Sequence, residues 1–295
     1  MPTELDDIRA AFEHQISLFG PRVFEERGTA EQKEHVEVID ATIETTDPVE
    51  EELAVDDKIE EVESTPAEAA PEVAPEAAPE AALEAATDTS EADVYARIAQ
   101  LIPGDSPMVG MRTLDEVSAW VASTELIELD ATRLNPVFGV GNPEADLMVI
   151  GEAPGADEDK KGEPFVGRAG QLLTKILEAI GFPRETVYIA NILKSRPPGN
   201  RDPLPEEIRA HIPILHKQIS LIRPKVILCV GRTSGTSLLG IQSSLKDMRG
   251  TFHDYHGIPV MVTYHPAALL RNPNWKRPTW EDVQILRAKY DELTA

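Results

Sequence analysis

The chain has 295 residues, a formal net charge of −24 and a sequence pI near 4.6. Its single cysteine, Cys229, excludes an internal disulfide framework and a cysteine-based metal site. No apolar run approaches the roughly 18–20 residues that span a bilayer, and the acidic start Met1-Pro2-Thr3-Glu4-Leu5-Asp6-Asp7 lacks the apolar core of a secretory signal. The composition therefore predicts a soluble, cytoplasmic protein.

In chain order, residues 1–28 carry Leu5, Ile8, Phe12, Ile16 and Phe19 at spacings of three and four. That is one face of an amphipathic helix, stopped by Gly20-Pro21 and suited to docking on its own domain or on a protein partner. Residues 29–93 hold 22 acidic residues against 2 lysines and no aromatic side chain, with Pro-Glu recurring from Pro71 to Glu80. Such a stretch cannot bury enough apolar surface to offset its ordering entropy, so a disordered acidic Ala/Pro/Glu-rich linker is expected. It carries −20 of the total charge and leaves residues 94–295 close to neutral. The overall acidity thus does not argue against a nucleic-acid partner, because steering depends on the local distribution of charge.

Residues 94–295 are of single-domain size. Leu147-Met148-Val149-Ile150-Gly151 reads as a buried strand, followed by a helix with Leu172, Leu173, Ile176 and Leu177. Val187-Tyr188-Ile189-Ala190 is a second strand; Ile208, Ile212, Leu215, Ile219 and Ile222 then mark a helix. Val226-Ile227-Leu228-Cys229-Val230 is a third strand, with a short helix around Ser237-Leu238-Leu239. Val260-Met261-Val262-Thr263-Tyr264 is a fourth, and Trp280, Val283, Leu286, Tyr290 and Leu293 form a closing helix. Strands that are apolar throughout and separated by helices imply an α/β fold. We expect three layers, α/β/α, around a central, mainly parallel four-stranded sheet. Ligands of such sheets bind beyond the carboxyl ends of the strands, so the segments leaving strands one, two and four should share a cleft.

Those segments are chemically distinctive. After strand one come Gly151-Glu152-Ala153-Pro154-Gly155 and Gly162-Glu163-Pro164-Phe165-Val166-Gly167-Arg168-Ala169-Gly170, with Glu158 between them. After strand two comes Asn191, then Lys194-Ser195-Arg196-Pro197-Pro198-Gly199-Asn200-Arg201. After strand four comes His265-Pro266-Ala267-Ala268-Leu269-Leu270-Arg271. An amide, an imidazole, an aromatic ring and carboxylates suit a planar heterocycle with an amide-like edge. Lys194, Arg196, Arg201, Arg271 and the helix start near Gly170 are placed to seek phosphates. Each residue alone has a plainer reading: solvated loop acids for Glu152 and Glu158, a core ring for Phe165, a turn residue for Asn191, a strand cap for His265. The joint spacing carries the functional one.

On these motifs the chain resembles the family-4 uracil-DNA glycosylases. The run from Val137-Phe138-Gly139 to Gly170 is similar to the family's first motif region, Asn191 to Pro203 to its Lys-Cys-Arg-Pro-Pro-Gly-Asn-Arg segment, and Tyr264 to Lys276 to its closing His-Pro motif. The resemblance implies hydrolysis of the N-glycosidic bond of uracil in single- or double-stranded DNA by a monomer, leaving an abasic site for base excision repair. It assigns Glu152 to positioning the attacking water, with Glu158 as second choice, and His265 to donating to uracil O2. Ala153, Phe165 and Asn191 would bind the base. Lys194, Arg196, Arg201, Leu269, Leu270 and Arg271 would contact DNA, the last three by entering the duplex. The family usually carries a 4Fe–4S cluster on four cysteines; here Thr124, Ile127, Ser195 and His211 stand at those positions. With no thiolates to hold it, the cluster is expected to be absent and no other cofactor is implied. The alternative is a catalytically weak DNA-binding or damage-sensing homologue. A nucleotide-binding regulatory module ranks last, since the Gly-rich turn is neither Gly-x-Gly-x-x-Gly nor a phosphate loop.

Overall fold

The computed structural model describes residues 91–295, with side chains from Val94 onward. The helix expected over 1–28 and the linker expected over 29–93, save the last three residues of the latter, lie outside the described residues. The chain opens with α1 (Glu91–Ala99) and α2 (Leu114–Ser123), which starts from a capping box between Thr113 and Glu116. The sheet elements are β1 (Val140–Gly141), β2 (Leu147–Gly151), β3 (Tyr188–Asn191), β4 (Val226–Val230), β5 (Phe252–Tyr255) and β6 (Ile258–Thr263). Helices α3 (Ala156–Lys161) and α4 (Arg168–Ala179) separate β2 from β3, and α5 (Pro205–Ile222) separates β3 from β4. Helices α6 (Arg232–Leu239) and α7 (Leu245–Met248) follow β4; α8 (Pro266–Arg271) and α9 (Lys276–Thr294) close the chain.

The sheet has six strands in the order β1-β3-β2-β4-β6-β5, which corrects the expected four. The four apolar strands read from sequence are its parallel centre, β3-β2-β4-β6. The two additional strands pair antiparallel at the edges, β1 on β3 and β5 on β6. Neither edge strand has an apolar run: β1 is two residues long, and β5 is the largely polar Phe252-His253-Asp254-Tyr255. Edge strands face water on one side and need no such run.

Both faces of the sheet are covered, as the alternation of side chains along a strand requires. Met148, Ile150, Ile227, Cys229, Val260 and Val262 pack with residues of α1, α5 and α6. Their neighbours Leu147, Val149, Val226, Leu228 and Met261 pack with residues of α4, α8 and α9. A smaller cluster, including Val117, Val121, Phe138 and Ile214, seats α2 against α5. Cys229 is buried in the first cluster, and burial pushes its thiol far up, so it is an inert core residue.

The strand order fixes where a ligand belongs. From β2 the chain crosses to β3 on one side; from β4 it crosses to β6 on the other. The carboxyl ends of β2 and β4 therefore flank the point at which the connections diverge, the usual ligand crevice of open parallel sheets.

Candidate active site

Backbone geometry brings the three distant segments together. Gly151 ends β2, and a β-carbon built there would lie 2.3 Å from Asn191 Oδ1 and 2.7–2.8 Å from the tip of the Phe165 ring. Asn191 ends β3 in register with Gly151. His265 follows β6, and its ring centroid is 5.5 Å from that of Phe165, the planes inclined by 30°. The Phe165 ring thus lies near both the Asn191 carboxamide and the His265 imidazole, at the carboxyl edge of the sheet.

Local structure explains how Phe165 reaches this place. Its backbone is left-handed, φ 54°, a sparsely populated state for a residue with a bulky side chain. Glu158 holds the turn: its Oε1 accepts hydrogen bonds from the amides of Val166 (2.9 Å) and Gly167 (3.1 Å). Gly170 lets the first turn of α4 pass under it, since a β-carbon there would meet the Phe165 carbonyl oxygen at 1.7 Å. The start of α4 is therefore tied to this loop through the Val166 and Gly167 amides. Glu158, the second-choice catalytic acid, is by the same geometry an organiser of the Phe165 loop, although its charge is felt at His265.

Asn191 is 2% exposed, and its Oδ1 finds no hydrogen-bond partner among the described residues. A buried carbonyl oxygen left unpaired costs about 1–3 kcal/mol, and this one is free to accept from a donor. His265 caps α8: its Nδ1 accepts from the amide of Ala267 at 3.2 Å. That bond puts the ring proton on Nε2. Burial, then the nearby charge of Arg271, pulls the imidazole down to about 4, so it is neutral and remains an Nε2–H donor at physiological pH. Glu152, half-buried after β2, is raised above the ordinary glutamate range, chiefly by burial and against a hydrogen bond from Thr233. Ala153 beside it is half-buried against the core.

Thr233 and Arg232, which both act on Glu152, lie at the start of α6. The segment leaving β4 therefore contributes to the crevice too. It carries no motif, and only the strand order points to it.

The residues expected to contact DNA divide. Arg196, Arg201, Leu270 (40% exposed) and Arg271 are at least partly open to solvent. Arg196 Nε holds Asn200 Oδ1 at 2.7 Å, and Arg201 forks onto Glu207 at 2.9 and 2.6 Å. Lys194 and Leu269 correct the expectation, each being 0% exposed. Lys194 turns inward: Nζ donates to Asn191 O (2.8 Å) and Gln218 Oε1 (2.6 Å). With only neutral partners, burial pulls its ammonium down to about 7. Leu269 faces inward from α8 into the second core cluster and cannot enter a duplex.

The four positions that the resemblance sets against the family's cluster cysteines offer no thiolate. Thr124, Ile127, Ser195 and His211 supply one imidazole and two hydroxyls, and Ile127 has no polar side-chain atom. Among the described residues no group of three or more His, Cys, Asp or Glu is arranged to hold a metal ion. The donor set does not fit an iron–sulfur cluster.

The model of the uracil DNA glycosylase superfamily matches residues 138–284. The chain is 43% identical over 182 residues to the type-4 uracil-DNA glycosylase of Archaeoglobus fulgidus, covering 59% of this chain and 92% of that one. It is 44% identical over 187 residues to that of Saccharolobus solfataricus, covering 60% and 86%. The matching figures for Sulfurisphaera tokodaii are 42% over 186 residues, 60% and 84%.

Proposed function

The chain belongs to the uracil-DNA glycosylase superfamily, and from that premise we propose that it hydrolyses the N-glycosidic bond of uracil in DNA, releasing free uracil and an abasic site for base excision repair. The observation that carries this reading is the unpartnered Oδ1 of Asn191, buried against Phe165 and Gly151. Uracil presents N3–H and O4 side by side, which the two ends of one carboxamide satisfy. Cytosine reverses that donor–acceptor order and would leave buried groups unpaired. No helix among the described residues is long and apolar enough to cross a membrane.

In the proposed mechanism the uracil nucleotide leaves the base stack, at a cost of a few kcal/mol, and its ring lies on Phe165. As the bond between C1′ and N1 lengthens, negative charge moves to the ring and its O2, where the neutral His265 donates from Nε2. The sugar becomes cationic. Glu152 takes a proton from the water whose oxygen bonds to C1′, by analogy with inverting glycoside hydrolysis. The Thr233 hydroxyl, at the start of α6, favours the ionised form of that carboxyl against its burial. Arg196, Arg201 and Arg271 contact phosphates, and Leu270 is the side chain of the α8 tip open enough to press into the duplex. No cluster takes part, so the purified protein is expected to show no visible iron–sulfur absorbance.

The proposal is tested by incubating the protein with uracil-containing single- and double-stranded oligonucleotides and then cleaving abasic sites with alkali. Cleavage at the uracil, lost in Asn191→Ala, supports it; intact oligonucleotide with the wild-type protein overturns it. The base has its own signature. Glu152 must be ionised to accept a proton, and its carboxyl is raised above the ordinary 4.5. Single-turnover rate should therefore fall on acidification along a limb displaced above 4.5. Glu152→Gln should remove that limb and slow the reaction by about 10²–10⁴-fold.

A further inference from the structure

Asp130 lies on the 3-10 turn Glu128–Thr132, and its side chain is 1% exposed. Its Oδ2 accepts from the amides of Leu126 (2.8 Å) and Ile127 (3.3 Å). Its Oδ1 accepts from Arg133 Nη1 (3.1 Å), His211 Nε2 (3.0 Å) and the hydroxyl of Ser195. Arg133 completes the set: Nη1 also reaches Ser195 Oγ (3.2 Å), and Nη2 donates to Val121 O (2.6 Å) and Thr124 O (2.9 Å). One ion pair thereby joins the end of α2, the 124–133 segment, the loop after β3 and helix α5.

The four positions that match cluster ligands all meet this pair. Thr124 brings its carbonyl oxygen, Ile127 its amide, Ser195 its hydroxyl and His211 its Nε2. Two of the four use main-chain atoms, so the side chains of Thr124 and Ile127 are not required for these bonds. A buried ion pair is favourable only when its remaining donors and acceptors are satisfied, and here five bonds converge on one carboxylate. Burial alone would raise Asp130; the hydrogen bonds from His211 and Ser195 outweigh it and hold the group ionised, well below the usual range.

The consequence reaches the base site. His211 Nδ1 accepts from the amide of Lys194 at 3.2 Å, which leaves its ring proton on Nε2 for Asp130. Lys194 in turn sends Nζ back to Asn191 O and its own carbonyl to the amide of Val137 (2.9 Å). We propose that the Asp130–Arg133 pair is the positioning centre of this protein's 194–201 loop, standing where the family places its cluster and setting the register between the DNA-contacting arginines and Asn191. Asp130 touches no substrate; it acts through Ser195 and through His211.

The full chain carrying Asp130→Asn tests this, with Arg133→Lys as the conservative variant and Ser195→Ala in reserve should Asp130→Asn not fold. Hydrogen exchange over 192–204 should quicken about tenfold or more, as expected when bonds to a buried charge are lost, while Val226–Val230 stays protected. On uracil-containing single strands, KM should rise about tenfold with kcat within about twofold, since loop placement governs binding and the base pocket is kept. Arg133→Lys, which retains the charge but not the fork, should fall between. Unchanged exchange over 192–204, exchange that quickens equally throughout the sheet, or an unmoved KM would overturn the proposal. The kinetic arm rests on the glycosylase reading. If the wild-type protein releases no uracil, that reading fails by itself and the exchange arm still decides the role of the pair.

Discussion

Replacing His265 with alanine is expected to slow uracil release by about 10²–10³-fold, the usual loss when a donor aimed at developing negative charge is removed. The expectation follows from three properties of the side chain. Its Nδ1 is committed to the amide of Ala267, so the available proton is on Nε2. Burial and the charge of Arg271 hold it near 4, so the ring is neutral from about pH 5 upward and its contribution should not vary there. Its ring lies beside that of Phe165, where the base would stack. Alanine also removes the cap of α8, worth about 1 kcal/mol. His265→Asn separates the two effects, because a carboxamide oxygen can keep the cap while losing the reach toward the base. Single-turnover rates and thermal unfolding of both variants decide. If His265→Asn recovers the rate together with the stability, the imidazole is only a cap.

Gly151→Ala should be almost as damaging, for a steric reason. The added methyl falls within 2.3 Å of Asn191 Oδ1 and 2.7 Å of the Phe165 ring. Both side chains, or the strand end itself, must move. Inserting a methyl into a packed site costs about 1–3 kcal/mol of stability, and shifting a reading group by about an ångström costs about 10² in rate. Gly104→Ala, with nothing within 4 Å of the new β-carbon and no unusual φ, serves as the matched control. A Gly151→Ala protein of near-normal rate would show that Asn191 and Phe165 do not jointly frame the base.

Much of this arrangement is legible in the sequence, and the exceptions have physical reasons. The central strands declare themselves because a strand buried on both faces must be apolar throughout, as Leu147–Gly151 and Val226–Val230 are. The edge strand Phe252–Tyr255 does not, since half of it faces solvent. Phe165, Asn191 and His265 are legible because the carboxyl ends of parallel strands share one edge. Thr233 obeys the same rule, but the segment leaving β4 has no distinctive composition to draw attention to it.

Lys194 and Leu269 show what residue type cannot reveal. A lysine in a basic loop predicts a phosphate contact, yet the side chain points back under the sheet to Asn191 and Gln218. An apolar residue at a loop tip predicts a wedge, yet of the adjacent pair Leu269 faces the core and Leu270 solvent. Direction depends on the backbone turn, which composition does not encode. Asp130 and Arg133, three residues apart, look in sequence like an ordinary solvated pair. Only the missing cysteines hint that something must hold Thr124, Ile127, Ser195 and His211 together.

The most direct measurement is a crystal structure of the protein bound to free uracil. The ring should lie on Phe165, with N3–H and O4 on the Asn191 carboxamide and O2 within about 3 Å of His265 Nε2. Uracil seated elsewhere, or a ring reached by Asn191 but turned with O2 away from His265, would contradict the account.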